Sequence, residues 1–229
     1  MSISGNPEVS QSKPSAVFIV EDHPAFREGL VQILSAEKDL TVCGQAESME
    51  KALRAINQVK PDLVLVDITL PGKSGLKLIR ELRDAGNQVK MLVLSMHDEA
   101  LYADRALRTG GNGYLMKDSD PDEIISAIRD VLNGRLYVSD EVMAARAGVT
   151  APAHHEKAHL LDQLTDSELE IMELLGMGLS NKEIAKKSRL TVKKVEAASE
   201  RIRKKMKLKT VNALIRNAVC WVEANKNLS

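Results

Sequence analysis

Short apolar runs alternate with amphipathic segments through residue 133, and this alternation limits the folds open to the chain. The clearest run, 62–67, lies between two prolines and ends in Asp67. A short apolar run of this kind is typical of a strand buried on both faces of a parallel sheet. Five strand–helix alternations predict a doubly wound α/β fold with a five-stranded parallel sheet. The other four runs lie at 16–20, 41–46, 90–94 and 113–116.

Polar side chains stand where four of these strands end. Glu21 and Asp22 follow the first strand, Asp67 ends the third, and Ser95 and Lys117 follow the fourth and fifth. Because ligand sites of open α/β sheets lie at the carboxyl ends of the strands, we expect these side chains at one edge. Asp67 alone could be an ordinary strand-terminal residue that caps a loop. Three crowded carboxylates need a cation, and oxygen-only ligands favour Mg²⁺ over zinc. A metal, a lysine and a hydroxyl beside a carboxylate suit phosphoryl transfer.

Residues 16–133 resemble the receiver domain of bacterial two-component response regulators, which has a flavodoxin-like fold. The resemblance implies that Asp67 accepts a phosphoryl group from a sensor histidine kinase. It also implies that Mg²⁺ is held by Glu21, Asp22, Asp67 and the backbone carbonyl of Thr69. The matching residues are Glu21, Asp22, Asp67, the loop 70–75, Ser95, Tyr114 and Lys117.

The same resemblance implies a switch behind the phosphorylation site. Lys117 and Ser95 would contact the phosphoryl oxygens. Ser95 would move inward and Tyr114 would rotate behind it, which is a shift between two populated states. Thr69 and His97, beside the site, would tune a slow loss of the phosphoryl group.

Charge is distributed unevenly although the formal net charge is zero. Residues 1–159 hold 18 basic and 23 acidic residues, whereas 160–229 hold 14 basic and 9 acidic residues. This difference indicates a regulatory unit joined to a nucleic-acid binder, with chance variation as the alternative. Cys43 and Cys220 suit a reducing cytoplasm better than a disulfide framework. The chain shows no apolar run of membrane length and no signal peptide, so we expect a cytoplasmic protein without membrane contact.

The composition predicts four parts of the chain. Residues 1–14 are polar and are predicted to be a disordered tail. Residues 15–134 hold the strand–helix alternation, and 135–162 form a linker because no pattern there lasts long. Residues 163–229 form a second, basic domain. His155 and His159 could share a helix face, but no third ligand completes a metal site there.

The basic domain carries the pattern of a helix-turn-helix. Residues 165–168 and 180–183 have the sequence of capping boxes, which start two helices. Thr191 is placed to cap a third helix, whose Val195 and Ile202 are predicted to face inward. A fourth helix follows, so the domain is predicted to be all α. Two short helices joined by a tight turn, the second strongly basic, are typical of DNA-binding proteins.

Residues 164–220 resemble the LuxR-type output domain of the NarL/FixJ family. The match rests on 164–165, 178–185, Val195, Ile202 and 205–208. The resemblance implies a transcription factor that binds double-stranded DNA as a homodimer, with the helix 192–207 in the major groove. The residues expected at the DNA are Lys182, Lys193, Lys194, Glu196, Ala197, Arg201, Lys204 and Lys205.

The sequence departs from the family pattern at the front of that helix. Lys194 stands where the family carries Thr, and Ala198 stands where it carries His or Tyr. Ser199 stands where one branch carries Arg. Since alanine cannot hydrogen-bond a base edge, we expect an unusual operator, while backbone contacts still provide affinity.

Three functions are compatible with these features. The first is a transcription factor whose DNA binding and dimerisation are controlled by phosphorylation of Asp67; such a protein is not an enzyme. The second is an adaptor that uses the same switch but binds a protein through its last domain, and the altered helix with Glu196, Ala198 and Ser199 motivates it. The third is a metal-dependent phosphatase that uses Asp67 as its nucleophile, which is disfavoured because no substrate-sized insertion surrounds the site.

Overall fold

A computed structural model describes residues 13–71, 73–97, 99–146 and 163–226. Seven strands and ten helices are described there. The strands are β1 Ser15–Val20, β2 Leu40–Ala46, β3 Leu63–Asp67, β4 Thr69–Leu70, β5 Lys73–Ser74, β6 Lys90–Ser95 and β7 Gly113–Met116. The helices are α1 Pro24–Ser35, α2 Met49–Val59, α3 Gly75–Asp84, α4 Glu99–Thr109, α5 Pro121–Leu132, α6 Asp140–Arg146, α7 Asp166–Gly176, α8 Asn181–Lys187, α9 Val192–Lys205 and α10 Val211–Lys226.

Five strands form one parallel sheet in the order β2-β1-β3-β6-β7. The predicted doubly wound fold is therefore confirmed. β3 is the central strand and every one of its residues is buried. Its side chains alternate between two cores, as strand geometry requires. Leu63 and Leu65 pack in the core shared with α1 and α5, whereas Val64 and Val66 pack in the core shared with α2 and α3.

The segment predicted as a plain loop after Asp67 contains a small antiparallel ladder. β4 pairs with β5, with Thr69 opposite Ser74. Two-residue strands are too short to produce a readable hydrophobic period, which is why the sequence pattern did not predict them. Gly75 follows the ladder where the chain passes close to the end of β3. A Cβ atom at Gly75 would lie 1.9 Å from the carbonyl oxygen of Asp67, so only glycine allows this approach.

Helices α7 to α10 form the all-α unit that the sequence predicts. Both capping boxes are present, Thr165 with Glu168 and Ser180 with Glu183. The Thr191 hydroxyl accepts a hydrogen bond from the backbone N–H of Lys194 at the start of α9. α9 ends at Lys205, two residues before the predicted end, because Lys207 has a left-handed backbone with φ of 54°.

Parts of the predicted tail and linker lie outside the described residues. These are 1–12 of the tail and 147–162 of the linker, which include His155 and His159. In the described part of the linker, α6 forms, and Tyr137 makes a bridge to Gly113 at the edge of the sheet. No helix in the described ranges combines the length and the apolar character that crossing a membrane requires.

Candidate functional site: an acidic cluster under a helix-turn-helix unit

Three carboxylates meet at the carboxyl edge of the sheet. β1 delivers Glu21 and Asp22, and the central strand β3 delivers Asp67. One oxygen from each of the three lies within 4.8 Å of the others. Glu21 and Asp67 are 1 % and 4 % exposed, so this charge is held away from bulk water. An all-oxygen donor set of this size fits a hard divalent cation such as Mg²⁺. We call Glu21, Asp22 and Asp67 the acidic cluster.

Lys117, just beyond β7, is the cation inside the cluster. Its Nζ atom lies 2.6 Å from Glu21 Oε2 and 2.8 Å from Asp67 Oδ2. The same ammonium group lies 4.9 Å from the centre of the Phe26 ring on α1, in a cation–π contact. Lys117 therefore offsets two of the three carboxylates at once.

Asp67 has a pKa well above that of a free aspartate. The pKa of Asp67 is raised to about 6, because burial and the neighbouring charge of Glu21 outweigh the opposing charge of Lys117. The backbone N–H of Thr69 donates to Asp67 Oδ1 at 3.0 Å, which holds the carboxylate in place. A cation bound beside Asp67 would stabilise its ionised form and lower its pKa.

The predicted switch residues lie on the side of the site that faces α7. Ser95 is fully buried, and its hydroxyl accepts from the backbone N–H of His97 at 3.1 Å. The hydroxyl of Tyr114 is also turned inward and donates to the carbonyl oxygen of His97 at 2.7 Å. Thr69 Oγ1 and His97 Nε2 are 3.0 Å apart. The structure thus brings Ser95, Tyr114 and Thr69 together around one histidine.

That histidine connects the sheet to the helix-turn-helix unit, which the sequence pattern did not predict. His97 Nδ1 lies 2.7 Å from Oε2 of Glu173 on α7, and its ring stacks on Tyr102 with the ring centres 4.6 Å apart. Burial acts to lower the pKa of His97, but the hydrogen bond to Glu173 and nearby carboxylates raise it by more. One feature of the sequence did indicate a second contact surface on α7, because its apolar residues between 169 and 175 cover more than one face of the helix.

Two further ion pairs join the two units. Arg105 on α4 contacts Asp166 at the start of α7, with Nη1 and Oδ1 3.3 Å apart. Arg189, in the turn between α8 and α9, pairs with Asp22 of the acidic cluster. A cavity of about 560 Å³ remains between the units, and residues of both units line it. The helix-turn-helix unit therefore covers the acidic cluster directly.

The outward face of α9 carries most of the residues predicted to meet DNA. Arg201 and Lys205 also pair with Glu168 of α7, at 3.2 and 2.5 Å, so part of their charge is offset within the unit. Lys205 is half-buried and Lys182 is exposed on the neighbouring α8. The exposed residues of α9 are Lys193, Lys194, Glu196, Ala197, Arg201 and Lys204.

Two departures from the family pattern do not lie on that outward face. Ala198 and Ser199 are 3 % and 5 % exposed. The Ser199 hydroxyl donates to the carbonyl oxygen of Val195 at 3.0 Å, one turn earlier in α9. Helical geometry turns both side chains towards the inside of the unit, and the unusual operator stays a prediction. Lys194, Glu196 and Ala197 stay on the outward face.

Comparison with known proteins agrees with this geometry. Residues 17–129 match the family model described as the response regulator receiver domain, and residues 162–218 match the model of bacterial regulatory proteins of the luxR family. The chain belongs to the response regulators that join a receiver to a LuxR-type helix-turn-helix domain. These are transcription factors rather than enzymes.

Full-length relatives share both parts. The chain is 30 % identical to the nitrate/nitrite response regulator protein NarL of Escherichia coli K12, over 88 % of this chain and 94 % of the relative. It is 32 % identical to the oxygen regulatory protein NreC of Staphylococcus aureus, over 89 % and 96 %.

Solved structures share the fold. A LuxR-family response regulator from Aurantimonas is 31 % identical with a TM-score of 0.56, over 60 % of this chain and 100 % of that one. RcsB of Salmonella enterica, solved on the promoter rprA, is 21 % identical with a TM-score of 0.60, over 89 % and 98 %.

Proposed function

We propose that this response regulator controls transcription through phosphorylation of Asp67 by a sensor histidine kinase. The observation that carries the proposal is Asp67 itself, a buried carboxylate at the end of the central strand with Lys117 2.8 Å away. We assign residues 15–134 to the receiver and 163–229 to the DNA-binding domain, joined by the linker 135–162 and preceded by a tail, 1–14.

We assign the divalent cation to the acidic cluster, with the backbone carbonyl of Thr69 as a fourth ligand. Bound Mg²⁺ would neutralise charge on the phosphoryl oxygens. Asp67 attacks the phosphorus atom of the donor, the bond to the donor histidine breaks, and an acyl phosphate forms on Asp67. Lys117 and Ser95 contact the phosphoryl oxygens. To reach them, the ammonium group of Lys117 must give up part of its present contact with Glu21.

In this proposal, the covered cluster is what links phosphorylation to DNA binding. A histidine kinase cannot reach Asp67 while the turn between α8 and α9 lies over the site. In helix-turn-helix domains, the N-terminal residues of the recognition helix contact the DNA. In this chain, Arg189 contacts the receiver only a few residues before α9, the recognition helix, begins. A duplex placed there would collide with the receiver, although the outward face of α9 is exposed. Phosphorylation therefore favours separation of the domains.

The separated state is proposed to bind DNA as a homodimer. Two copies of α9 would enter successive major grooves, so the operator would be an inverted repeat with half-sites about one helical turn apart. Lys182, Lys193, Lys194, Arg201, Lys204 and Lys205 would contact phosphates, and Glu196 and Ala197 would face base edges. We place the protein in the cytoplasm because Cys43 and Cys220 are free thiols in different domains.

Recovery of genomic DNA fragments tests the proposal. The wild type and Asp67→Asn are each treated with Mg²⁺ and acetyl phosphate and then used to capture fragments. Enrichment of a shared inverted repeat by the wild type alone is expected. Equal enrichment by both proteins would remove phosphorylation as the control, and no enrichment by either would overturn DNA binding.

A matched variant separates loss of the acceptor from loss of local charge. Asp118 is an exposed carboxylate next to Lys117 and lies outside the acidic cluster. Asp118→Asn removes the same charge as Asp67→Asn but should take up a phosphoryl group and enrich DNA like the wild type. Intact-protein mass spectrometry reports the added group directly, and its appearance on Asp67→Asn would overturn the site assignment.

A further inference from the structure

Arg189 belongs to the DNA-binding domain, but its side chain reaches the acidic cluster of the receiver. Its guanidinium pairs with Asp22, and the side chain of Asp22 is only 8 % exposed under it. Arg189 is the residue after the C-cap of α8 and has a left-handed backbone with φ of 54°. The hydrogen bond from Leu190 N to Ala185 O closes this helix end. The turn thus holds Arg189 outside the helix, against the receiver.

The charges of the acidic cluster are divided between two cations from different domains. Lys117 contacts Glu21 and Asp67 and belongs to the receiver, whereas Asp22 is paired with Arg189. Arg189 is therefore the only described cation paired with Asp22. Since three carboxylates share the site, neither cation alone offsets them.

We propose that Arg189 acts as a tethered counter-ion that competes with a divalent cation for Asp22. The competition has two physical sources. Asp22 has to supply an oxygen ligand to the metal, and that carboxylate now binds a guanidinium. A divalent cation and a guanidinium on one carboxylate also repel each other strongly, because the partly buried site screens charge weakly.

The competition links metal loading to the arrangement of the domains, and it rests on the proposed function of the acidic cluster. Coupling between two binding events is reciprocal. If the Arg189 contact weakens metal binding, metal binding must weaken the contact by the same factor. The Glu173–His97 and Arg105–Asp166 contacts also hold the closed arrangement, so metal binding loosens one of several polar contacts between the two units and prepares the domain for release.

Manganese binding to the full-length, unphosphorylated protein tests the competition without any phosphodonor. The affinity is measured by electron paramagnetic resonance of free Mn²⁺. Arg189→Ala should bind Mn²⁺ at least about fivefold more tightly than the wild type, the lower end of typical couplings. Arg189→Lys keeps the positive charge and should change the affinity less than about twofold.

Arg216→Ala is the matched control for net charge. Arg216 is exposed on α10 of the same domain, and its replacement removes the same charge. Its Mn²⁺ affinity should stay within about twofold of the wild type. An unchanged affinity in Arg189→Ala, or an equal gain in Arg216→Ala, would overturn the proposal.

A direct spectroscopic measurement complements the affinities. The Nε–Hε signal of Arg189 is assigned in ¹⁵N-labelled wild type by its loss in Arg189→Lys. Addition of Mg²⁺ should shift this signal towards the position of a solvent-exposed arginine, and an unmoved signal at saturating Mg²⁺ would overturn the competition. Neither measurement uses phosphate or DNA, so a failure here is distinct from a failure of phosphorylation-controlled DNA binding.

Discussion

The acidic cluster of the receiver and the basic face of α9 hold their charges in opposite ways. Glu21 and Asp67 are almost fully buried, and Lys117 lies within hydrogen-bond distance of both. On α9, Lys193 and Lys194 are exposed. Lys204 has a 69 % exposed side chain and one acidic neighbour at 3.9 Å.

This difference follows from what each region has to do. A buried charge is costly unless it is paired, so the geometry of the acidic cluster is fixed before any ligand arrives. Exposed charges cost little and remain free to adjust to phosphates along a duplex. The receiver is therefore built for one small group at one position, and α9 is built for an extended partner.

Replacement of the buried lysine should give the largest effect. Lys117→Met leaves two buried carboxylates without their cation and should lower the free energy of unfolding by about 3 kcal/mol at neutral pH without metal. Lys204→Met, on the exposed face, should change it by less than about 0.5 kcal/mol. Urea unfolding followed by circular dichroism measures both, and equal effects would refute the contrast between the two regions.

The pH dependence of wild-type stability tests how strongly burial perturbs Asp67 in the acidic cluster. The pKa of Asp67 is raised to about 6 in the folded state, whereas an unfolded aspartate titrates near 4. Between about pH 4 and 6 the folded protein therefore binds a proton on Asp67 that the unfolded chain has lost. The stability that goes with this protonated carboxyl is complete below about pH 4 and is lost as the pH rises through about 6. Asp67→Asn should remove that part of the pH dependence in urea titrations without metal, and an unchanged profile would contradict it.

A side chain added at Gly75, where the backbone of α3 approaches the end of β3, should give the next largest loss of stability. Gly75→Ala places a Cβ atom against the carbonyl of Asp67 and should lower the free energy of unfolding by about 2–3 kcal/mol, as overpacking against backbone does. Gly29→Ala on α1 has no atom within 4 Å and should stabilise the protein by about 0.5–1 kcal/mol. Thermal unfolding compares the pair, and a neutral Gly75→Ala would show that β3 and α3 can move apart.

Removal of one exposed lysine should have a smaller effect, seen in DNA binding alone. Lys194→Ala should weaken binding of the phosphorylated protein a few-fold for every sequence and reduce the salt slope by about one. Lys38→Ala, exposed on the receiver, should leave the slope unchanged. Fluorescence anisotropy between about 50 and 200 mM salt measures it. A nearly salt-independent affinity would favour a protein partner.

A small effect should come from Glu168, which joins α7 to α9 through its pairs with Arg201 and Lys205. Burial acts to raise its pKa, but the hydrogen bonds from Lys205 and Thr165 lower it by more. Its contribution to stability is therefore present above the usual pKa of glutamate and is lost as the pH falls through the lowered value. Glu168 is itself 3 % exposed, but the side chains of Arg201 and Lys205 are 59 % and 34 % exposed, so Glu168→Gln should cost about 1 kcal/mol at neutral pH and nothing in acid. A cost that persists in acid would assign the effect to packing.

The sequence predicted the receiver fold because its signals are local. Alternating apolar runs and helical periods depend on neighbours two to four residues apart, so β1, β3 and α5 could be located without a structure. The carboxylates of the acidic cluster could be placed together because parallel strands end at one edge. The caps at Thr165 and Ser180 are equally local, since each involves a residue three positions away.

The sequence by itself therefore determined the two domain types and the side chains at the edge of the sheet. Only the tertiary structure decided that α7 lies on the receiver, that Glu173 meets His97, and that Arg189 pairs with Asp22. These partners are far apart in the chain and show no periodicity, and a charged side chain can pair with any opposite charge that packing brings near it. The inward position of Ala198 is different in origin, because it lies three residues after Val195 and four before Ile202, on the helix face that the sequence predicts to be buried.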